Sequence, residues 1–208
     1  MKNYINENLY QCVARFLNIK LTRAQDHLYE AFSDIENGNI TCGLFHDAIA
    51  KVMVQITEFK VELLNRFDRI DDEQAEYIIG SIHTIRNNIV ILMGVSTGTE
   101  QGYKIASIEI DLLNLMDFIE DEIDWRNRWC LSYLLRSATR MLEITIFKIS
   151  MNLDIECILA CAQWKLVRAI CKVNRLLDRG KISQELADIL LDKINQAYTD
   201  IEVIKNPI

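Results

Sequence analysis

The sequence predicts an all-α protein, an elongated antiparallel helical bundle of about six to eight helices in a single domain. Three observations carry this. Only one proline, Pro207, occurs in 208 residues, and a chain that excludes proline avoids both its missing amide donor and its clash with the preceding helical turn. Only seven glycines occur, and Gly38, Gly98 and Gly180 fall where the apolar pattern lapses, as helix terminators do. Between these stops, apolar residues recur at spacings of three and four.

Taken in order, the pattern marks helices over roughly 4–18, 22–36, 41–68, 71–95, 99–123, 124–150, 154–179 and 183–204. Thr22 with Gln25, Asp71 with Gln74 and Thr97 with Glu100 have the spacing of a capping box, in which side chains satisfy the free amides of a first turn. Segments of about 25 residues are each ~37 Å long, so short links make neighbours pack antiparallel. Segment 124–150 carries a stripe of Leu131, Leu134, Leu135, Ala138, Met141, Leu142, Ile146 and Ile149, with Tyr133, Ile144 and Phe147 outside it. That breadth predicts a central helix. The stretch from Glu36 through Gly38 to Leu44 resembles Asp178 through Gly180 to Leu186. A duplicated helical hairpin around 36–60 and 178–202 would produce this, and so would the same turn chemistry used more than once.

Basic residues number 23 and acidic residues 30, for a net charge of -7, which disfavours a whole-surface nucleic-acid binder. The first residues lack the apolar run of an export signal, and no apolar stretch approaches the ~20 residues of a membrane span. A cytoplasmic protein with no membrane partner is expected. Six cysteines in such a chain read as reduced thiols, most of them small core residues.

The strongest functional signal is a basic ridge. Lys165, Arg168, Lys172, Arg175 and Arg179 recur at spacings of 3, 4, 3 and 4, within about 80° of helix circumference. Asp117, Glu120, Asp121 and Asp124 form an acidic ridge at comparable spacing. The two ridges either meet within the bundle, meet across a homo-oligomer, or face different partners. Cys157, Cys161 and Trp164 share the basic ridge's face, and Trp125 and Trp129 flank Arg126 and Arg128. Tryptophan and arginine anchor binding interfaces, so Trp125, Trp129, Cys157, Cys161 and Trp164 are interface candidates; tryptophans four apart also serve as packing between helices. Cys157 and Cys161 lack the further ligands a closed zinc site needs. His27, His46 and His83 are isolated, with no Glu-x-x-His or His-x-x-x-His spacing, and read as structural.

Ser183-Gln-Glu185-Leu-Ala-Asp188-Ile-Leu-Leu-Asp192 resembles, over about ten residues, half the signature of the all-helical nucleoside triphosphate pyrophosphohydrolases of the MazG type. That resemblance implies a magnesium-dependent phosphohydrolase with Glu185 and Asp188 among the metal ligands. Elsewhere no catalytic triad, phosphate loop or metal motif is present, and no catalytic residue, metal or cofactor is expected. The reading that follows is a binding protein, an adaptor, regulator or self-assembling module, whose partner is another protein or a second copy. Two alternatives stand beside it: the magnesium-dependent nucleotide phosphohydrolase, and a binder of nucleic acid or another polyanion through the basic ridge.

Overall fold

The computed structural model describes residues 1–206; Pro207 lies outside them. Among the described residues there are eight α-helices and no strand: α1 (Lys2–Asn8), α2 (Gln11–Glu36), α3 (Ile40–Arg66), α4 (Asp72–Ser96), α5 (Glu100–Glu122), α6 (Trp125–Ser150), α7 (Glu156–Asp178) and α8 (Gln184–Lys205). The all-α bundle class is as the apolar periodicity requires. The helices group into two compact units, Met1–Ser96 and Thr97–Ile208.

The glycine stops behave as read. Gly180 takes φ of 60°, and the amides of Gly180 and Lys181 return to the carbonyls of Leu177 and Leu176, closing α7 by the left-handed turn that glycine adopts without a Cβ penalty. Asp68 and Asn152 make the same turn at the ends of α3 and α6, with φ of 53° and 56°, at a steric cost glycine would not incur. Asp71 and Gln74 form the predicted capping box, with Gln74 N donating to Asp71 Oδ1 at 2.7 Å and Asp71 N donating to Gln74 Oε1 at 3.2 Å.

Two starts differ from the sequence reading. The cap of α5 is Thr99 rather than Thr97, its Oγ1 accepting from Gly102 N at 3.0 Å. Thr22 caps nothing, because 22–36 is continuous with the preceding residues and the break falls at Leu9 and Tyr10. Lys2 explains this: its Nζ donates to Thr22 Oγ1 and Gln25 Oε1 at 2.9 and 2.8 Å, so both side chains hold α1 folded back along α2. That return buries Ile5 completely.

In the first unit α2 packs on α3 and α3 on α4. The α2–α3 seam is close at Gly43, where a Cβ would lie 2.5 Å from Ile35 Cγ1 and 3.0 Å from the Ala31 carbonyl oxygen. Glu58 on α3 receives His83 Nε2 at 2.7 Å, with Arg86 Nη1 3.8 Å away, both from α4. By length and composition α4 is apolar enough to cross a membrane, with mean hydropathy 1.3 over its best window, a correction to the expectation that no stretch approaches a span. Its buried face, Ile78, Ile82, Arg86, Ile89 and Met93, belongs to the unit's core.

In the second unit α6 packs on α5 and α7, and α8 on α7 and α5. Links of two to five residues turn the chain back each time, giving an antiparallel four-helix arrangement with α5 diagonal to α7. The core is aliphatic: Leu112, Ile119, Leu131, Leu135, Leu142, Leu166, Val173, Leu190 and Ile201 are each at most 1% exposed, and area of this kind stabilises by about 25 cal/mol per Å² buried. A polar bridge joins α7 to α8. Gln163 Nε2 donates to Glu202 Oε2 at 2.6 Å and Lys205 Nζ to Gln163 Oε1 at 3.0 Å, and the Gln163 bond holds the Glu202 carboxyl below its ordinary range.

Candidate functional site

The α7 helix divides sharply. Leu159, Ala162, Leu166, Ala169, Val173 and Leu176 enter the core, and every polar position of the sequence-derived ridge is left on the outer side. Arg168, Arg175 and Arg179 are exposed, Lys165 and Lys172 half-buried. Long side chains lay their stems over the neighbouring apolar surface and keep the charge in water. None of the five forms an ion pair with a described residue. Lys165 Nζ and the Arg168 guanidinium instead sit over the Trp164 ring, 5.0 and 4.8 Å from its centre, where the ring's electron-rich face attracts them. Trp164 itself is 54% exposed.

Cys157 and Cys161 lie open on the same helix. Here the sequence reading needs correcting: five of the six cysteines are exposed and Cys130 is half-buried, all as free thiols. They occupy outward positions of amphipathic helices whose inward positions are already filled by leucine, isoleucine and alanine.

The α6 helix also departs from expectation. Leu131, Leu134, Leu135, Ala138, Leu142 and Ile146 of its stripe are buried and Met141 and Ile149 half-buried, but Tyr133 and Ile144 belong to a solvent face rather than to a second buried one. Trp125, Trp129, Tyr133, Arg136, Arg140 and Ile144, all exposed, recur at spacings of 4, 4, 3, 4 and 4, one arc of about 100°. Trp129 and Tyr133 stack with ring centres 6.3 Å apart, and the Arg126 guanidinium lies 5.5 Å from the centre of Trp125. The tryptophans are surface residues, not packing between helices.

Neighbouring α6 and α7 thus present aromatic and cationic groups together. Residues 125–179 hold ten basic residues against four acidic. The remainder of that unit, 97–124 and 180–208, holds four basic against thirteen acidic. The acidic ridge falls in this second set. Asp117 and Glu120 are half-buried, Asp121 and Asp124 exposed, and Asp124 is also the cap of α6, accepting from Arg126 N at 2.9 Å. A guanidinium nitrogen of Arg128 donates to the Glu120 carbonyl oxygen. Because α5 and α7 are diagonal, the acidic and basic ridges do not pair within the unit. Burial raises the Asp111 carboxyl, with Lys193 opposing and Asp200 reinforcing the shift.

Glu185 and Asp188 are exposed in the first turns of α8, behind the Ser183 cap, and Gln184 Nε2 donates to Asp188 Oδ1 at 2.8 Å. Among the described residues they belong to no group of three donors within reach of one metal ion. A hollow of about 710 Å³ in the first unit is lined by Asp68, Asp71, Asp72, Arg69 and amide side chains, without a histidine or cysteine.

The histidines are not isolated in space. His27 and Glu30, one turn apart on α2, meet His46 of α3: Glu30 Oε2 is 3.2 Å from His27 Nδ1 and 3.0 Å from His46 Nδ1, and the two ring nitrogens are 3.1 Å apart. The sequence signal was His27-x-x-Glu30, the reverse of the Glu-x-x-His order. His46 could join it only once the α2–α3 register was known.

Compared with protein-family profiles, with curated proteins and with solved structures, the chain finds no match in any of the three.

Proposed function

We propose that this protein works by binding another protein, and that the outer faces of α6 and α7 receive an acidic segment of that partner. One observation supports this above all: five cations in register along α7, without an ion pair to any described residue, running past an exposed tryptophan that two of them already overlie. Exposed charges contribute only ~0–1 kcal/mol each to stability, so a row of them acts on orientation, association rate and choice of partner. The tryptophans and arginines supply the affinity, since these residues dominate interface hot spots. A second copy offers a suitable surface in its own acidic α5–α8 side. The interaction belongs in the cytoplasm, where the free thiols remain reduced.

Photo-crosslinking from position 167, beside Trp164, tests the reading. The expected result is a discrete protein adduct, of this chain or of an acidic partner, lost at high salt and in Arg168→Glu/Arg175→Glu. Absence of any salt-sensitive protein adduct, together with a strict monomer by light scattering at high concentration, overturns it. The α6 face favours one second reading, because Trp125, Trp129 and Tyr133 between arginines resemble a stacking platform for single-stranded nucleic acid. In that case the adduct is nucleic acid, and heparin retention falls on alanine replacement of Arg168 and Arg175.

A further inference from the structure

We propose that His27, Glu30 and His46 form a binding site for one divalent transition-metal ion of the zinc class. The site is independent of the α6–α7 surface and lies in the first unit. Its three donor atoms, His27 Nδ1, His46 Nδ1 and Glu30 Oε2, form a nearly equilateral triangle with sides of 3.1, 3.0 and 3.2 Å. Zinc binds imidazole nitrogen and carboxylate oxygen at about 2.0–2.2 Å. Donors at that radius stand about 3.3–3.4 Å apart around a tetrahedral ion and about 2.9 Å apart around an octahedral one. The observed sides fall between the two, so a single centre reaches all three atoms.

Hydrogen bonding fills at most two sides of this triangle. Each Nδ1 carries at most one proton and the carboxylate oxygen carries none when ionised. With one ring protonated at Nδ1, the lone pair of the other ring faces the lone pairs of Glu30 at 3.0–3.2 Å. With both protonated, each can donate to Glu30 Oε2, and the two nitrogens are left facing each other at 3.1 Å with no bond between them. A cation at the centre accepts all three lone pairs at once and removes the conflict.

The surroundings fit that use. Asp34 Oδ2 lies 3.7 Å from His46 Nε2, on the far side of the ring from the metal-facing nitrogen. A carboxylate there favours the proton on Nε2 and frees the Nδ1 lone pair, the role of the outer carboxylate in histidine–metal sites. Gly43, one turn before His46, lets α2 and α3 approach closely and so sets the distance between the donors. Two imidazoles with one carboxylate select zinc, cobalt, nickel or copper over magnesium and calcium, which take oxygen ligands. The side chains of His27 and His46 are 28% and 25% exposed and that of Glu30 58%, so the remaining coordination positions open to solvent. Three protein ligands with an open position is the arrangement of a reactive rather than a purely structural metal site.

Calorimetric titration of the reduced 208-residue protein with zinc chloride tests this, with magnesium chloride as control. One equivalent of zinc is expected to bind saturably, magnesium to give no specific heat, and affinity to fall at least tenfold in His46→Ala, His27→Ala and Glu30→Gln. Asp34→Asn should weaken binding about tenfold, as outer partners of metal ligands do. Cys157→Ser/Cys161→Ser should leave binding unchanged. If a histidine variant fails to fold, Glu30→Gln and Asp34→Asn carry the comparison. Absence of a one-equivalent phase, or a phase that survives Glu30→Gln and Asp34→Asn undiminished or disappears with the two cysteines, overturns the proposal.

Discussion

Gly43 and Ile35 are in such close apposition that a Cβ on the former would stand 2.5 Å from Cγ1 of the latter, with the Ala31 carbonyl oxygen at 3.0 Å. A methyl group at this position forces α2 and α3 apart, since Cγ1 is the root of the isoleucine branch and the carbonyl is backbone. Gly43→Ala should therefore destabilise by about 1–3 kcal/mol despite alanine's better helix propensity. Gly80, on α4, is the control: nothing lies within 4 Å of a Cβ there, and Gly80→Ala should stabilise by up to about 1 kcal/mol. Urea denaturation of the two variants checks both signs. Gly43→Ala should also weaken zinc binding.

Asp68 and Asn152 hold left-handed turns that glycine holds elsewhere in the same chain. Replacing Asp68 by glycine should stabilise by roughly 0.5–1 kcal/mol, and Asn152 by somewhat less because asparagine tolerates this conformation better. Thermal unfolding should report a higher midpoint for each. Gly180→Ala should lower it.

Asp47 is buried on α3 with its Oδ2 lacking a hydrogen-bond partner, and burial pushes its carboxyl up to about 7. The folded state thus binds this proton more tightly than the unfolded state, whose carboxyl titrates near 4. Stability from this group is full below about pH 4 and is lost as pH rises to about 7, the slope being negative wherever the folded state holds more protons. Asp47→Asn should remove that decline, with a benefit of order 2–4 kcal/mol at pH 8. Denaturant midpoints measured from pH 4 to pH 8 on both proteins give the comparison.

Substitutions on the α6–α7 surface should separate binding from folding. Trp164→Ala and Arg168→Glu/Arg175→Glu replace exposed groups, so each should change stability by no more than about 0.5 kcal/mol. Partner crosslinking from position 167 should fall at least tenfold. A matching loss of thermal stability would show that the face is structural.

Much of the fold was legible because helix signals are local. The apolar pattern marks α3 to α8 at 41–68, 71–95, 99–123, 124–150, 154–179 and 183–204, within two residues of the observed ends, since the glycine stops and polar caps act within one turn. The break between α1 and α2 was missed because it depends on Lys2 reaching Thr22 and Gln25, a contact across twenty residues. The basic ridge was readable from its spacing, and its outward aspect follows from the aliphatic face opposite. The exposure of Trp125, Trp129 and five cysteines was not, because hydrophobicity predicts burial only where a neighbour is available to provide it. The His27, Glu30 and His46 triangle needed the register of two helices, which no local pattern encodes.

The segregation of charge between the two sides of the second unit makes that unit a strong electric dipole. A protein with a net charge of -7 will still be held by a sulfonate resin at neutral pH and low salt, because α6 and α7 turn toward the anionic matrix while the acidic helices turn away. The same torque acts on this unit during any encounter with an anionic surface and presents α6 and α7 to it first.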